Sequence, residues 1–159
     1  MNQRYLEDYT EGEAIISGPF TISREELLNF ARVYDPQPMH IDEAFATSDG
    51  PFHDVIASGF QTCAIAFKLF VDLGFFAGNV ALGGFGMEPM RWLAPVFPDD
   101  TLINHVTVKE ARRSKSKPDH GILGLAHDLR NQDGVTYLHH GIDDPQQKRT
   151  RLDAQMLVQ

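Results

Sequence analysis

An aspartate and a histidine suited to acid–base chemistry lie close together in the segment Tyr34–Asp42, which reads Tyr-Asp-Pro-Gln-Pro-Met-His-Ile-Asp. Pro36 and Pro38 fix the backbone angle φ at two positions between Asp35 and His40, so the relative geometry of the two side chains is preset. A carboxylate and an imidazole that converge on one water molecule can perform general acid–base catalysis near neutral pH. The spacing leaves an alternative open, in which Asp35 only caps a turn and His40 is a hydrogen-bonded loop histidine.

Two predicted helices flank this segment and would position it. Ser23-Arg24-Glu25-Glu26 has the Ser-x-x-Glu pattern of a capping box, which predicts a helix of about ten residues. We expect this helix to end at Asp35-Pro36, because the residue before a proline is pushed out of the helical region. A second helix is predicted over about 58–73, with Ser58 as its N-cap. Apolar residues lie on nearly every side of this central helix, so we expect the rest of the fold to enclose it.

The order of the other predicted elements indicates the fold class. A stiff loop over 35–40 and a short helical turn near Asp42 follow the first helix, and strand-like segments begin after the central helix. The predicted strands are Val80–Leu82, Met90–Leu93, Thr101–Val108, Ile122–Leu129, Val135–His139 and Ala154–Val158, with a hairpin turn at Asp133-Gly134. Helices followed by antiparallel strands predict an α+β fold, which we interpret as one domain over 1–159 with a sheet curled around the central helix.

Three segments, in the expected order, resemble those of a known family. Asp35-x-x-Pro38-x-His40 is similar to the Asp-x-Asn-Pro-x-His signature of MaoC-like dehydratases, also called (R)-specific enoyl-CoA hydratases. Ile56–Phe60 is similar to the start of the central helix of that family. Met90–Leu102 is similar to its Arg-Phe-x-x-Pro-Val-x-x-Gly-Asp-Thr-Leu strand entry. The resemblance implies a hot-dog fold, in which a curled antiparallel sheet wraps around a central helix.

The resemblance also implies an activity and the residues that perform it. Asp35 and His40 would activate a water molecule for addition to an enoyl thioester, or for its removal in the reverse direction. Gly59 would offer its backbone N–H to the thioester oxygen, at a helix N-terminus that favours negative charge. The sequence departs from the signature at Gln37, where the family has Asn. The family likeness further implies a homodimer or a higher homo-oligomer, which would also protect the sheet edges.

Four further residues are predicted to bind the substrate. Gln37 and Ser58 lie next to the candidate catalytic residues along the chain. Arg112 and Arg113 belong to the basic run Lys109–Lys117, whose cations could bind the phosphates of an acyl-CoA. The alternative for this run is a solvated strand end with edge-protecting lysines.

The composition disfavours several other partners. The formal net charge is −8, and residues 1–80 carry 4 Lys and Arg against 12 Asp and Glu, which disfavours nonspecific nucleic-acid binding. No uncharged apolar stretch reaches the roughly 20 residues that span a bilayer, so no membrane partner is expected. Cys63 is the only cysteine, which excludes an internal disulfide and suits a cytoplasmic protein. His139 and His140 face opposite sides of a strand, so we expect no metal site there. Gly83-Gly84-x-Gly86 lacks a following capped helix, so we expect no dinucleotide loop and no cofactor apart from CoA as the carrier of the substrate.

The leading hypothesis is a hydro-lyase that acts on a 2-enoyl-CoA or a 3-hydroxyacyl-CoA. One alternative is an acyl-CoA thioesterase of the same fold, although the only carboxylate of the central helix, Asp72, comes late in its length. The other alternative is a non-catalytic acyl-binding or assembly subunit, which the substitution at Gln37 keeps open.

Overall fold

A computed structural model describes residues 4–74, 81–84, 86–87, 89–140 and 155–158 of the chain. The α-helices are α1 (Arg24–Tyr34), α2 (Pro38–Ile41), α3 (Glu43–Ser48) and α4 (Gly59–Asp72), and a 3-10 turn covers Leu6–Asp8. The strands are β1 (Ala14–Ile16), β2 (Phe20–Thr21), β3 (Ala81–Gly84), β4 (Met90–Trp92), β5 (Thr101–Arg113), β6 (Gly121–Asn131), β7 (Thr136–His140) and β8 (Gln155–Val158).

All described strands pair antiparallel in one sheet, whose main path runs β1-β5-β6-β7-β4. β2 extends the pairing of β5, and β8 pairs with both β3 and the first half of β6. The predicted turn joins β6 to β7, and Gly134 within it has a φ of +81°, a conformation that glycine adopts without strain. The α+β class predicted from the sequence is therefore confirmed.

The helix α1 begins at the predicted capping box. The Ser23 hydroxyl accepts a hydrogen bond from the Glu26 N–H, and the Glu26 carboxylate accepts one from the Ser23 N–H. The segment after α1 differs from the predicted stiff loop, because Pro38 starts the short helix α2. Proline is favoured at the first helical position, where its missing N–H costs no hydrogen bond.

The helix α4 packs one face on the sheet and leaves the other open. Ile65, Ala66, Leu69 and Phe70 face the core and are buried. The opposite face carries three large apolar side chains that are well exposed: Phe60 at 68%, Phe67 at 45% and Val71 at 40%. The expectation of an enclosed helix is therefore wrong for the single chain, because the sheet curls around only one side of α4.

Three polar residues lie in the core beneath α4, and we call them the histidine cluster: Asn104 of β5, His127 of β6 and His140 of β7. All three are buried. The rings of His127 and His140 stack with their centroids 4.2 Å apart. Asn104 Nδ2 donates to His127 Nδ1 at 3.0 Å and to the Ala66 carbonyl at 2.7 Å, which ties the cluster to α4. Neutral imidazoles are expected here, because burial strongly disfavours the charged form.

Some sequence predictions fall on residues that the structure does not describe. The polar stretch 143–151, which was expected to separate the last two strands, lies outside the described residues. Within the described part of the chain, no helix has the length and apolar character needed to cross a membrane.

Candidate active site

Asp35 and His40 meet at one end of α4, as the family resemblance implies. Asp35 Oδ2 lies 3.5 Å from His40 Nε2, and the side chains are 14% and 5% exposed. That distance is too long for a direct hydrogen bond of normal strength. One reactant oxygen that lies to the side of this pair can therefore be within hydrogen-bond distance of both atoms.

Two neighbouring side chains hold the Asp35 carboxylate in place. Ser58 Oγ donates to Asp35 Oδ2 at 2.6 Å, and Gln37 Nε2 donates to Asp35 Oδ1 at 2.7 Å. Both hydrogen bonds favour the ionised carboxylate, and they lower the pKa of Asp35 below its ordinary value, with the larger effect from Ser58. Asp35 is thus kept as an anion and an acceptor at neutral pH.

The hydrogen bonds of His40 set which ring nitrogen carries the proton. His40 Nδ1 lies 2.8 Å from the carbonyl oxygen of Ile56. A carbonyl can only accept, so Nδ1 carries the hydrogen and donates. In the neutral ring, Nε2 then has a free lone pair, and this atom faces Asp35. The imidazole can therefore act as a base toward a reactant oxygen that contacts both side chains.

The N-terminus of α4 brings a backbone donor to the same place. Ser58 is the N-cap, since its hydroxyl accepts from the Phe60 N–H at 3.2 Å while donating to Asp35. Within the part of the chain that the structure describes, no acceptor is bonded to the Gly59 N–H. A free amide at the first helical position, reinforced by the helix dipole, is suited to a developing negative charge on a ligand oxygen.

A cavity of about 460 Å³ joins these groups. Asp35, His40 and Gly59 line it on the polar side. Its other walls are mostly apolar and include Met39, Phe52, Ile56, Phe60, Trp92 and Leu93. A few polar groups in an apolar pocket is the usual arrangement of a site for a small, partly hydrophobic ligand. A ligand in this cavity would place its polar end against Asp35, His40 and Gly59.

The structure brings five of the seven predicted site residues together and leaves two apart. Asp35, Gln37, His40, Ser58 and Gly59 form the site described above. Arg112 and Arg113 lie at the far end of β5, where the side chain of Arg112 bonds to Glu110 and that of Arg113 bonds to Glu7. The substrate-binding role of these arginines stays a prediction.

The distance of the two arginines from the site follows from the position of α4 on β5. Asn104 of β5 bonds to Ala66, near the middle of α4, and Val108 packs in the same cluster as Phe70, near its C-terminus. Continuing along β5 to Arg113 leads beyond that C-terminus. Gly59 and Phe70 alone are about 16 Å apart at 1.5 Å per helical residue. The arginines therefore do not reach the cavity of their own chain.

One residue in contact with the site was missed from the sequence. The indole of Trp92 lies against Gly59 and lines the cavity. The signal was present in the third segment of the family resemblance, where Trp92 stands at the position of a phenylalanine. No cluster of metal-binding side chains is found among the described residues.

Comparison with known protein families identifies the family of this chain. The family model of the MaoC-like domain matches residues 9–129. The chain belongs to the MaoC-like dehydratase family. It is 36% identical over 130 residues to the uncharacterized protein YdeM of Bacillus subtilis (strain 168), and the match covers 82% of this chain and 89% of the relative.

Solved structures agree with the assignment to the MaoC-like family. A MaoC-like dehydratase from Rhodospirillum rubrum superposes with a TM-score of 0.79 at 29% identity, covering 98% of this chain and 96% of that one. The (R)-hydratase from A. caviae superposes with a TM-score of 0.66 at 20% identity, covering 96% and 98%. At that identity the likeness shows the fold alone. The predicted hot-dog fold is confirmed.

Proposed function

We propose that this MaoC-like protein is a hydro-lyase that adds water to a 2-enoyl-CoA or removes it from a 3-hydroxyacyl-CoA. The observation that carries the proposal is the convergence of three groups on one cavity: the Asp35 carboxylate, the lone pair of His40 Nε2 and the free N–H of Gly59. Hydration needs a base for the water, an acid for the α-carbon and a donor for the enolate oxygen. These groups can fill all three roles.

In the hydration direction, a water oxygen attacks the β-carbon of the enoyl group as one of its O–H bonds breaks. The released proton passes to His40 Nε2, while Asp35 accepts a hydrogen bond from the second hydrogen and orients the water. The electron pair of the double bond moves toward the thioester oxygen, giving an enolate. Return of the proton from His40 to the α-carbon forms the 3-hydroxyacyl thioester, and dehydration follows the same path in reverse.

The enolate oxygen would be stabilised at the N-terminus of α4. The Gly59 N–H donates to it, and the helix dipole favours the negative charge that develops there. In other enzymes, loss of one such donor costs about 10²–10³ in rate. The reaction uses only side chains and backbone of this chain, so the proposal needs no cofactor beyond CoA as the carrier of the acyl group.

Two features weigh against the alternative functions. The helix α4 has no carboxylate near its N-terminus, since Asp72 is its last residue and pairs with Lys68 on the surface. This disfavours a thioesterase that acts through a carboxylate on the central helix. Gln37, which differs from the family asparagine, still bonds to Asp35. This disfavours a subunit that has lost its catalytic role.

The proposal also includes a cytoplasmic homodimer, with each chain acting as one domain. The exposed apolar face of α4, with Phe60, Phe67 and Val71, supports association, because soluble monomers rarely leave such a stripe open. Light scattering at micromolar concentration tests this part. A mass of twice 17.8 kDa or more is expected, and a mass of one chain would contradict it.

One experiment separates the three functions. The protein is incubated with a short 2-enoyl-CoA and, separately, with the saturated acyl-CoA of the same length. Loss of enoyl absorbance with formation of the (R)-3-hydroxyacyl-CoA supports the hydro-lyase. Release of free CoA thiol from either compound indicates a thioesterase and overturns the proposal. Binding without conversion of either compound indicates a non-catalytic subunit and also overturns it.

A further inference from the structure

The side chain of Trp92 is fixed against the first turn of α4. Its Nε1–H donates to the Gly59 carbonyl oxygen at 2.9 Å. Its ring also meets the Phe60 ring edge to face, with centroids 6.4 Å apart. The indole is 50% exposed and lines the cavity, so it borders the bound ligand while holding the backbone beside it.

The packing of Trp92 on Gly59 leaves no room for a side chain at position 59. A Cβ built on Gly59 would lie 2.7 Å from both Cε2 and Nε1 of the indole. Real Cβ atoms do not approach other heavy atoms that closely, so the ring would have to move. Position 59 therefore requires glycine for two reasons: the packing of the indole and the close approach of a substrate.

The hydrogen bond from Trp92 is the first link in a chain that ends at Asp35. Trp92 Nε1–H donates to the carbonyl of the Gly59–Phe60 peptide, and the N–H of that peptide donates to Ser58 Oγ. Ser58 Oγ–H then donates to Asp35 Oδ2. Hydrogen bonds arranged in series polarise one another and restrict the motion of each group. The indole thus restrains the Gly59–Phe60 peptide, which directly follows the Gly59 amide and is bonded to the N-cap Ser58.

We propose that Trp92 is a positioning residue of this site, which holds the first peptide of α4 so that the Gly59 N–H and the Asp35 carboxylate face the same ligand. The effects on kcat and KM given below rest on the proposed function. Phenylalanine, which the family motif has here, keeps an aromatic ring at the cavity but has no N–H to donate. In this chain the Trp92 N–H therefore adds a restraint that the motif residue lacks.

The first test is Trp92→Phe, which removes the donor and keeps an aromatic ring. We expect kcat for a short enoyl-CoA to fall about three- to tenfold, which corresponds to the net free energy of one hydrogen bond. KM should change less than about twofold, because the restrained peptide matters more for the enolate than for the bound substrate. A fall in kcat/KM that comes entirely from KM would overturn the positioning role.

The second test is a double-mutant cycle with Gly59→Ala and Trp92→Leu, read by unfolding as well as by activity. Trp92→Leu removes the atoms that a Cβ at position 59 would strike. Gly59→Ala should therefore lower Tm more in the wild-type background than in the Trp92→Leu background. Leu93→Ala is the matched control, because Leu93 also lines the cavity but no such close approach links it to Gly59. Additive losses in the Trp92 cycle would overturn the inference.

Tryptophan fluorescence tests the contact between Trp92 and Gly59 without any measurement of activity. Trp92 is the only tryptophan, so its emission reports on the indole at this site. In Gly59→Ala the displaced ring should shift its emission to longer wavelength. A protein that hydrates no enoyl-CoA but shows this shift and the non-additive cycle would refute the proposed function and keep the contact. Unchanged emission in Gly59→Ala would overturn the inference whatever the activity.

Discussion

Acidification from pH 7.5 to pH 5.5 is predicted to weaken the folded state through His127 and His140 of the histidine cluster. Burial lowers the pKa of His127 to about 3 and that of His140 to about 4, and the neighbouring imidazoles add to the effect. An unfolded histidine has a pKa near 6.5. The unfolded chain therefore takes up these two protons first, so stability is lost as the pH falls from about 7 toward the folded values.

The size of the loss follows from proton linkage. Each histidine that stays neutral in the folded state costs about 1.4 kcal/mol per pH unit below 6.5. At pH 5.5 this amounts to about 1.4 kcal/mol for each residue and about 3 kcal/mol for the pair. Carboxylates contribute little in this window, because their unfolded pKa values lie near 4.

Urea unfolding at a series of pH values and one fixed protein concentration measures the effect. The free energy of unfolding of the wild type should fall by at least about 3 kcal/mol between pH 7.5 and pH 5.5, because burial also lowers the pKa of His105 in the folded state. His127→Gln and His140→Gln should each reduce this fall by about 1.4 kcal/mol, whatever their stability at pH 7.5. His53→Asn is the control, since His53 lies on an exposed turn with a φ of 61° that asparagine tolerates. A wild-type free energy that stays flat across the window would refute the reasoning.

Three further predictions concern the side chains around the site. Ser58→Ala removes the strongest support of the ionised Asp35, so the pKa of Asp35 should rise toward its ordinary value in an NMR titration of the carboxyl carbon; an unchanged pKa contradicts this. Gln37→Asn, which restores the family residue, should hydrate enoyl-CoA at an equal or higher rate, whereas Gln37→Ala should raise the pKa of Asp35 by less than Ser58→Ala does. The double variant Arg112→Ala/Arg113→Ala should raise KM for a CoA thioester without changing kcat. This result is expected if the two arginines bind the CoA of the substrate held by a second subunit. An unchanged KM would show that these arginines form only their ion pairs.

Local sequence signals, which act over a few residues, predicted α1, α4 and the strands β4 to β7, but not the short strands β1 and β2. Ser23 and Glu26 form a capping box, which can be recognised in a sequence from the Ser-x-x-Glu spacing, and α1 begins there. The short helix α2 was missed, because Pro38 serves equally well in a stiff loop and at the first position of a helix. Capping boxes and turns are therefore predicted better than the course of a proline-rich segment.

Contacts between distant residues account for most of what the sequence did not predict. Ser58 was expected to be an N-cap, but its bond to Asp35 spans 23 residues and depends on how α1 meets α4. The stacking of His127 on His140 depends on the register of β6 against β7, which the spacing of histidines does not reveal. The candidate site residues came from the family resemblance, because a family motif marks positions that the shared fold brings together in space.

The central claim is that Asp35 and His40 activate one water molecule, and the rate of hydration of a short 2-enoyl-CoA by Asp35→Asn tests it most directly. Asparagine keeps an acceptor for Ser58 but has no charge. The account predicts a loss of about 10²–10⁴ in kcat, with binding of the saturated acyl-CoA retained as measured by Trp92 fluorescence. The double variant Asp35→Asn/His40→Ala should be little worse, because the two groups act as a unit. Hydration by Asp35→Asn at close to the wild-type rate would contradict the account.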